Sequence, residues 1–342
     1  MAELPIVTVG VIALNEEQAL PNLLEQISAQ DYPHEAIQVA LVDSGSDDST
    51  RTIMENFQAS DHDFLEVLVL DNPGRIQPKG WNVLIGAVAG DVVMRIDAHA
   101  RIPADFVSSA VAVLNEGEDV AGGPRPTIAP QDATDWQYTL LAAEDSLFGA
   151  SIAKYRSNGE ELEEGGEPEY VKSVFHPAYR REVIKRVGLF NENLVRTEDN
   201  DYSYRIREAG YKIRFDPRIH SEQIIRPSLK AMIKQKHGNG YWIGRTLFVQ
   251  PGAVEIYHLV PAAFVAAIAG AGALALSGRK WPARALAGAY GAATAVMSVA
   301  GVATSRHKNL TMAALPAIFP ILHIAYGIGT FKGIAKGLLA RN

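Results

Sequence analysis

Residues 91–101 read DVVMRIDAHAR. The run VVMRI is short and apolar, as in a strand buried on both faces of a sheet. It ends on Asp97-Ala98-His99, a carboxylate and an imidazole two residues apart just past the strand. Both can reach one divalent ion bound to a diphosphate. Mg²⁺ and Mn²⁺ prefer oxygen ligands and share their sphere with phosphates, and Mn²⁺ accepts imidazole more readily. Asp and His at a strand end are also ordinary turn formers, so the segment takes its meaning from its neighbours.

Those neighbours repeat the same pattern. Ile6–Ile12 is a β-rich run followed by Asn15-Glu16-Glu17 and a helical spacing through Leu20, Leu23, Leu24 and Ile27. Gln38–Val42 is a second strand that runs into Asp43-Ser44-Gly45-Ser46-Asp47-Asp48-Ser49-Thr50, whose last residues offer N-cap chemistry to a helix over Arg51–Phe57. Leu65–Leu70 reads as a third strand, Lys79–Ala89 as a helix and Asp91–Ile96 as the fourth strand. Pro103 stands at the first turn of a helix reaching about Leu114. Strands alternating with helices imply an α/β domain with a mostly parallel sheet. Ligands of such sheets bind beyond the carboxyl ends of the strands. The polar clusters at 15–17, 43–48 and 97–99 all fall there.

The chain of 342 residues is 47% hydrophobic and 21% charged, with a net charge of -7 and no cysteine. Disulfides, thiolate metal sites and thiol nucleophiles are excluded. The acidic balance argues against a nucleic-acid binder. The first residues lack the basic region and cleavage site of a signal peptide, so the first domain is expected on the cytoplasmic side. Composition changes near residue 257. Leu259–Leu276, Ala283–Thr304 and Leu310–Phe331 are apolar runs close to the roughly 20 residues that cross a bilayer. The third contains Pro316, Pro320 and His323 and is expected to kink or insert only in part. Cations flank all three runs, so loop charge does not fix their orientation. Arg226, Lys230, Lys234, Lys236 and Arg245 come with aromatics, and no acid lies between Glu222 and Glu255. That segment is expected on an anionic membrane surface, the alternative being a basic helix packed on the domain. Residues 150–170, polar and Gly-rich, read as a loop with a lid function.

Asp43 stands too early to cap the helix after it, which favours contact with a nucleoside. Glu198-Asp199-Asn200-Asp201 precedes a helix, where acids complement the macrodipole. A hydroxyl attacking a sugar carbon also needs a carboxylate to take its proton, and Asp199 is placed for that. Arg75 and Lys79 follow the third strand and suit phosphate, with solvated surface as the alternative. His176 and His237 read as structural or acceptor-side residues.

Taken in order, these segments resemble glycosyltransferase family 2, the inverting enzymes of GT-A fold. The resemblance covers about the first 220 residues. It implies a nucleotide-diphospho-sugar transferase fold with a mostly parallel sheet, followed here by a helical membrane region. It implies nucleoside contacts at Ala13, Asn15, Glu17 and Asp43; Arg75, Lys79 and Glu198 are expected beside them at the nucleotide-sugar. Metal and diphosphate fall to Asp97 and His99, and the general base is Asp199. The family's Asp-x-Asp stands here as Asp97-Ala98-His99, and the Gln-x-x-Arg-Trp of processive synthases is absent. The C-terminal runs and DAHAR look like bacterial succinoglycan-type glucosyltransferases.

The resulting expectation is a catalytic domain over 1–222, an interface segment over 223–257, membrane helices over 258–334 and a tail over 335–342. The enzyme is expected in the bacterial cytoplasmic membrane, facing the cytoplasm. It would move one glucose from a UDP-sugar, with Mg²⁺ or Mn²⁺, to a polyprenyl-diphosphate-linked acceptor held by Lys236, His237, Trp242 and Arg245. Self-association stays open. The alternatives are a processive synthase, a non-catalytic membrane scaffold, and a dinucleotide-binding oxidoreductase, which would need a G-x-G-x-x-G after the first strand.

Overall fold

The computed structural model describes residues 4–149 and 169–340. The chain divides into two units: Met1–Pro126 with Lys154–Gln223, and Thr127–Ala153 with Ile224–Asn342.

The first unit is an α/β sheet. Strands β1 (Val7–Ala13), β2 (Ile37–Asp43), β3 (Glu66–Asp71) and β4 (Val92–Asp97) run parallel in the order β3-β2-β1-β4. β2 is wholly buried, because its side chains alternate between two cores. Ile37, Val39 and Leu41 join the helices α1 (Leu20–Ser28), α2 (Thr50–Ala59) and α4 (Phe106–Asn115). Ala40 and Val42 face α3 (Gln77–Ala87), α6 (Arg181–Val187) and α7 (Glu198–Glu208). Beyond β4 the sheet continues as β9 (Phe175–Arg180), β6 (Val120–Gly123), β10 (Ile213–Phe215) and β8 (Glu169–Val171). β9 is antiparallel to both β4 and β6. The two-residue strand β5 (Ala100–Arg101) pairs with β11 (Glu222–Ile224) through Glu222 and Arg101.

Register fixes the site. Ala13 stands opposite Asp43, Asp43 opposite Asp71, and Ile12 opposite Asp97. The strand order reverses between β1 and β4, so the predicted polar clusters collect at a topological switch point.

The second unit contains the short strand β7 (Thr127–Ile128) and the helices α5 (Asp135–Asp145), α8 (Leu229–Val249), α9 (Val260–Leu276), α10 (Trp281–Thr304) and α11 (Leu315–Leu339). α5 thus falls outside the sheet unit although it lies within the span 1–222 expected for one domain. α5 buries Leu140 and Ala143 with Met312, Leu315 and Phe319, and Thr139 bonds Thr311, so it belongs to the helical unit. Three helical stretches, Ile256–Leu276, Trp281–Thr304 and Leu310–Leu339, are long and apolar enough to cross a membrane. The third continues without a break. Pro316 lies in the first turn, where no N–H is needed, and Pro320 leaves only the carbonyl one turn earlier without its partner. The expected lid at 150–170 lies outside the described residues, apart from its last two in β8.

α8 does not lie alone on a surface. Gly240 and Gly244 of α8 meet the backbone of Tyr326 and Thr330, and Gly329 and Gly333 of α11 meet that of His237 and Tyr241. Glycines four residues apart on each helix allow this close approach.

Candidate active site

Arg95 and Asp97 are two residues apart on β4 and so share one face of the sheet. Arg95 is buried, and its Nη2 donates to Glu198 Oε1 at 3.1 Å while standing 3.9 Å from Asp97 Oδ1. A buried guanidinium is tolerated here because carboxylates flank it. The pair ties the end of β4 to the first turn of α7, where Glu198 and Asp199 also complement the helix dipole. On the other side, His176 Nε2 lies 3.6 Å from Asp97 Oδ2, and His176 Nδ1 is 2.9 Å from Ser221 Oγ. Burial lowers the pKa of His176, favouring the neutral ring. Asp97 only accepts, so the ring proton belongs on Nε2, and Nδ1 accepts from the Ser221 hydroxyl. His176 takes φ 46°, a costly backbone state for a non-glycine residue and one that clusters at functional sites.

These contacts separate the carboxylates electrostatically. Burial by itself would raise Asp97, but His176 and Arg95 hold it well below the usual carboxylate range. Burial raises Asp199 as well; there Arg95 opposes the rise and Asp97 adds to it. Glu198 is raised for the same leading reason, to about 8, again against Arg95, and the charge of Asp199 adds to the rise. One carboxylate is thus kept ionised while its neighbours bind a proton more readily, a division that lets one site hold charge and move protons.

The ends of β1 and β2 are joined by a network. Asn15, at φ 57°, donates from its N–H to Ser46 Oγ and accepts from the Asp47 N–H at 2.8 Å. Asparagine tolerates that left-handed conformation better than most residues. Glu17 Oε2 accepts from the Ser49 N–H at 3.1 Å, and Asp48 Oδ1 accepts from the Thr50 N–H at 2.9 Å. The helix that follows is thus capped in part from another segment. Asp43 is not idle structurally. Its carboxylate accepts from the Gly45 and Ser46 N–H groups, so it shapes its own turn while opposing Ala13 across the strands.

Arg75 pairs with Asp47 at 3.4 Å and lies against Gly45. Lys79 stands 3.9 Å from Glu192 and lines a cavity of about 410 Å³ with Asn72, Asn82 and Glu192. The two basic residues expected at phosphate thus have different surroundings. His99 Nδ1 lies 3.0 Å from Glu16 Oε1, the ring donating to the carboxylate. Among the described residues no group of three or more His, Asp or Glu side chains forms a metal cage. An ionised Asp97 with His99 two residues on nonetheless fits a cation whose other ligands are phosphate oxygens. In the helical unit, Lys236 Nζ is held by Glu144 Oε1 at 3.1 Å and the Gly149 carbonyl at 3.0 Å, and Arg245 donates to the Lys336 carbonyl. Trp242 and His237 are half-buried on the same helix.

Residues 8–188 match the sequence profile described as Glycosyl transferase family 2. The chain belongs to glycosyltransferase family 2. The transferase is 27% identical over 323 residues to the succinoglycan biosynthesis protein ExoA of Rhizobium meliloti, covering 93% of this chain and 92% of that one. It is 23% identical over 336 residues, 97% and 98% of the two chains, to a dolichyl N-acetyl-alpha-D-glucosaminyl phosphate 3-beta-D-2,3-diacetamido-2,3-dideoxy-beta-D-glucuronosyltransferase of Methanococcus voltae. Relatives of the transferase therefore include enzymes that act on lipid-linked acceptors. Its fold is similar to the Pyrobaculum calidifontis mannosyltransferase PcManGT, solved with GDP-Man and Mn²⁺, at TM-score 0.57 and 17% identity, covering 96% of this chain and 88% of that one.

Two parts of the transferase site escaped the sequence reading. Arg95 was legible only as a cation inside an apolar run, a signal that deserved a partner. His176 and Ser221 lie 45 residues apart and meet only through β9 and the chain just before β11.

Proposed function

We propose that this enzyme inverts configuration while transferring a single sugar, glucose from UDP-glucose, to a polyprenyl-diphosphate-linked acceptor at a membrane. The observation that carries this reading is the buried Asp97–Arg95–Glu198 chain, which sets the raised carboxyl of Asp199 beside an ionised Asp97. Asp199 takes the proton of the acceptor hydroxyl. That oxygen bonds to the anomeric carbon from the face opposite the leaving diphosphate, and the bond from carbon to diphosphate oxygen breaks. Asp97 and His99 are the residues that would hold Mg²⁺ or Mn²⁺, which when bound offsets charge on the diphosphate. Ala13 and Asp43 receive the nucleoside. Asn15 and Glu17 contribute by pinning the backbone at Asp47 and Ser49, in the turn that follows Asp43. Arg75 and Lys79 approach the diphosphate. Glu198 fixes the donor side through Arg95, and Lys236, His237, Trp242 and Arg245 serve the lipid acceptor.

A PcManGT-like ligand pair, a nucleotide-sugar with a divalent ion, is consistent with this donor set, and ExoA supports an exopolysaccharide role. A processive synthase fits less well, since Gln235–Trp242 only loosely echoes its Gln-x-x-Arg-Trp motif. The test is radiolabelled transfer from a panel of nucleotide-sugars to native lipid extract, using wild type and Asp199→Asn. The variant is expected to bind UDP normally and to lose transfer by about 10²–10⁴-fold. Near-normal transfer would remove Asp199 from the base role, and a ladder of products would favour polymerisation.

A further inference from the structure

α8 and α11 run parallel and touch backbone to backbone. A Cβ on Gly240 would stand 2.0 Å from the Tyr326 carbonyl oxygen, and one on Gly244 2.3 Å from that of Thr330. From the other helix, a Cβ on Gly329 would stand 2.1 Å from the His237 carbonyl oxygen, and one on Gly333 2.0 Å from that of Tyr241. The contact continues to Phe248 against Gly337, and Arg245 bonds the Lys336 carbonyl at 3.1 Å. Helices joined in this way must share one depth in any membrane.

That constraint bears on insertion. Leu310–Leu339 is long and apolar enough to be a span, yet 39% of its most apolar part is buried inside the protein, against 11% and 17% for the other two. Its partner along that buried side is unsuited to hydrocarbon. α8 carries Lys230, Lys234, Lys236 and Arg245 in 21 residues, and the C-terminal half of α11 adds Lys332 and Lys336. If α11 crossed the bilayer, it would draw all of these through the core, where charged side chains are costly and rare. Residues 223–342 contain thirteen Lys and Arg and a single acid, Glu255, so the overall acidic balance hides a strongly basic C-terminal part. Lys230, Lys234, Lys332 and Lys336 are exposed, and so are the apolar Phe331, Leu338 and Leu339. Exposed cations beside exposed apolar side chains are the pattern of helices lying in a headgroup layer.

We propose that α8 and α11 form one glycine-joined slab lying in the plane of the membrane surface, with Lys230, Lys234, Lys332 and Lys336 on the phosphates of anionic phospholipids. α11 then does not cross, and both its ends face the same side. This holds independently of the sugar or acceptor transferred.

The chain has no native cysteine, so single cysteines report position directly. Leu310→Cys and Leu339→Cys, at the exposed first and last residues of the Leu310–Leu339 stretch, would be placed in the full-length protein in native membranes. They would be labelled with a membrane-impermeant maleimide in spheroplasts and in inverted vesicles. Labelling of both from one and the same face is expected; labelling from opposite faces overturns the in-plane slab. The headgroup assignment has its own measurement, thermal unfolding in nanodiscs of anionic or zwitterionic phospholipid. Anionic lipid should raise the wild-type midpoint, and joint replacement of the four lysines by Gln should abolish that rise. An equal rise in the variant, or none in wild type, refutes the assignment.

Discussion

Replacing Arg95 with Met tests the link between two segments of the candidate site. Met keeps the length of the apolar stem, so little of the effect comes from lost volume. What is lost is the guanidinium between the buried Glu198, at 3.1 Å, and the partly buried Asp97, at 3.9 Å. Losing the charge-assisted hydrogen bond costs about 1.5–3 kcal/mol, because Glu198, whose carboxyl is already raised, takes up a proton once Arg95 is gone. For a unit of roughly 200 residues each kcal/mol moves the melting midpoint by about 2–4 °C, so a fall of about 3–12 °C is expected. Adding Glu198→Gln should cost little more, since the carboxyl has already lost its partner. The activity readout is the acidic limb of the kcat/KM profile. As the proposed base Asp199 must be ionised to act; its carboxyl is already raised by burial, and Arg95 opposes that rise. Without Arg95 the limb must move to higher pH. A variant as stable as wild type, with its acidic limb unmoved, would show that this bridge neither holds the fold nor tunes the base.

Asp97→Asn should abolish stimulation by Mn²⁺ in a transfer assay while leaving the fold intact by circular dichroism, and stimulation that survives would move the cation elsewhere. Asp216 lies in the first unit, where burial would raise it but hydrogen bonds from Arg218 and Arg214 hold it at about 2. Its folded value lies below the unfolded one of about 3.9, so its stabilisation is complete above that pH and fades as pH falls towards 2. Asp216→Asn should therefore be less stable at neutral pH and lose less stability on acidification than wild type in urea titrations. Gly244→Leu drives a side chain into the Thr330 carbonyl and should destabilise the helical unit by at least about 1–3 kcal/mol, read as faster proteolysis between α8 and α11.

The four parallel strands could be read from the sequence because each is a short apolar run closed by turn chemistry. The order of Asp43, Asp97 and Asp199 likewise survived into space, since strand register places the first two at one sheet edge and Arg95 brings the third to it. What could not be read depended on partners far along the chain. Arg95 and Glu198 are 103 residues apart. β9 enters antiparallel between β4 and β6, which no local periodicity announces. Asp43 looked uncommitted until its turn amides were in place, and Lys236 looked like a surface cation until Glu144 came into view. The glycines of α8 and α11 stood in the sequence at four-residue spacing, but their meaning needs both helices at once.

The inclusion of α5 in the helical unit has a consequence for anyone who would divide this protein. The chain leaves the sheet unit after Pro126, contributes α5 to the helices, and returns before going back to them after Gln223. Leu140 and Ala143 find their burial only when Met312, Leu315 and Phe319, about 170 residues later, have been made. A soluble fragment cut at Gln223 would carry α5 with its apolar face bare, an invitation to aggregate. Grafting this catalytic unit onto another anchor requires excising or resurfacing α5 as well. Along the chain the helical unit is therefore interleaved with the sheet unit rather than appended after it, and the two have to be inherited, expressed and engineered together.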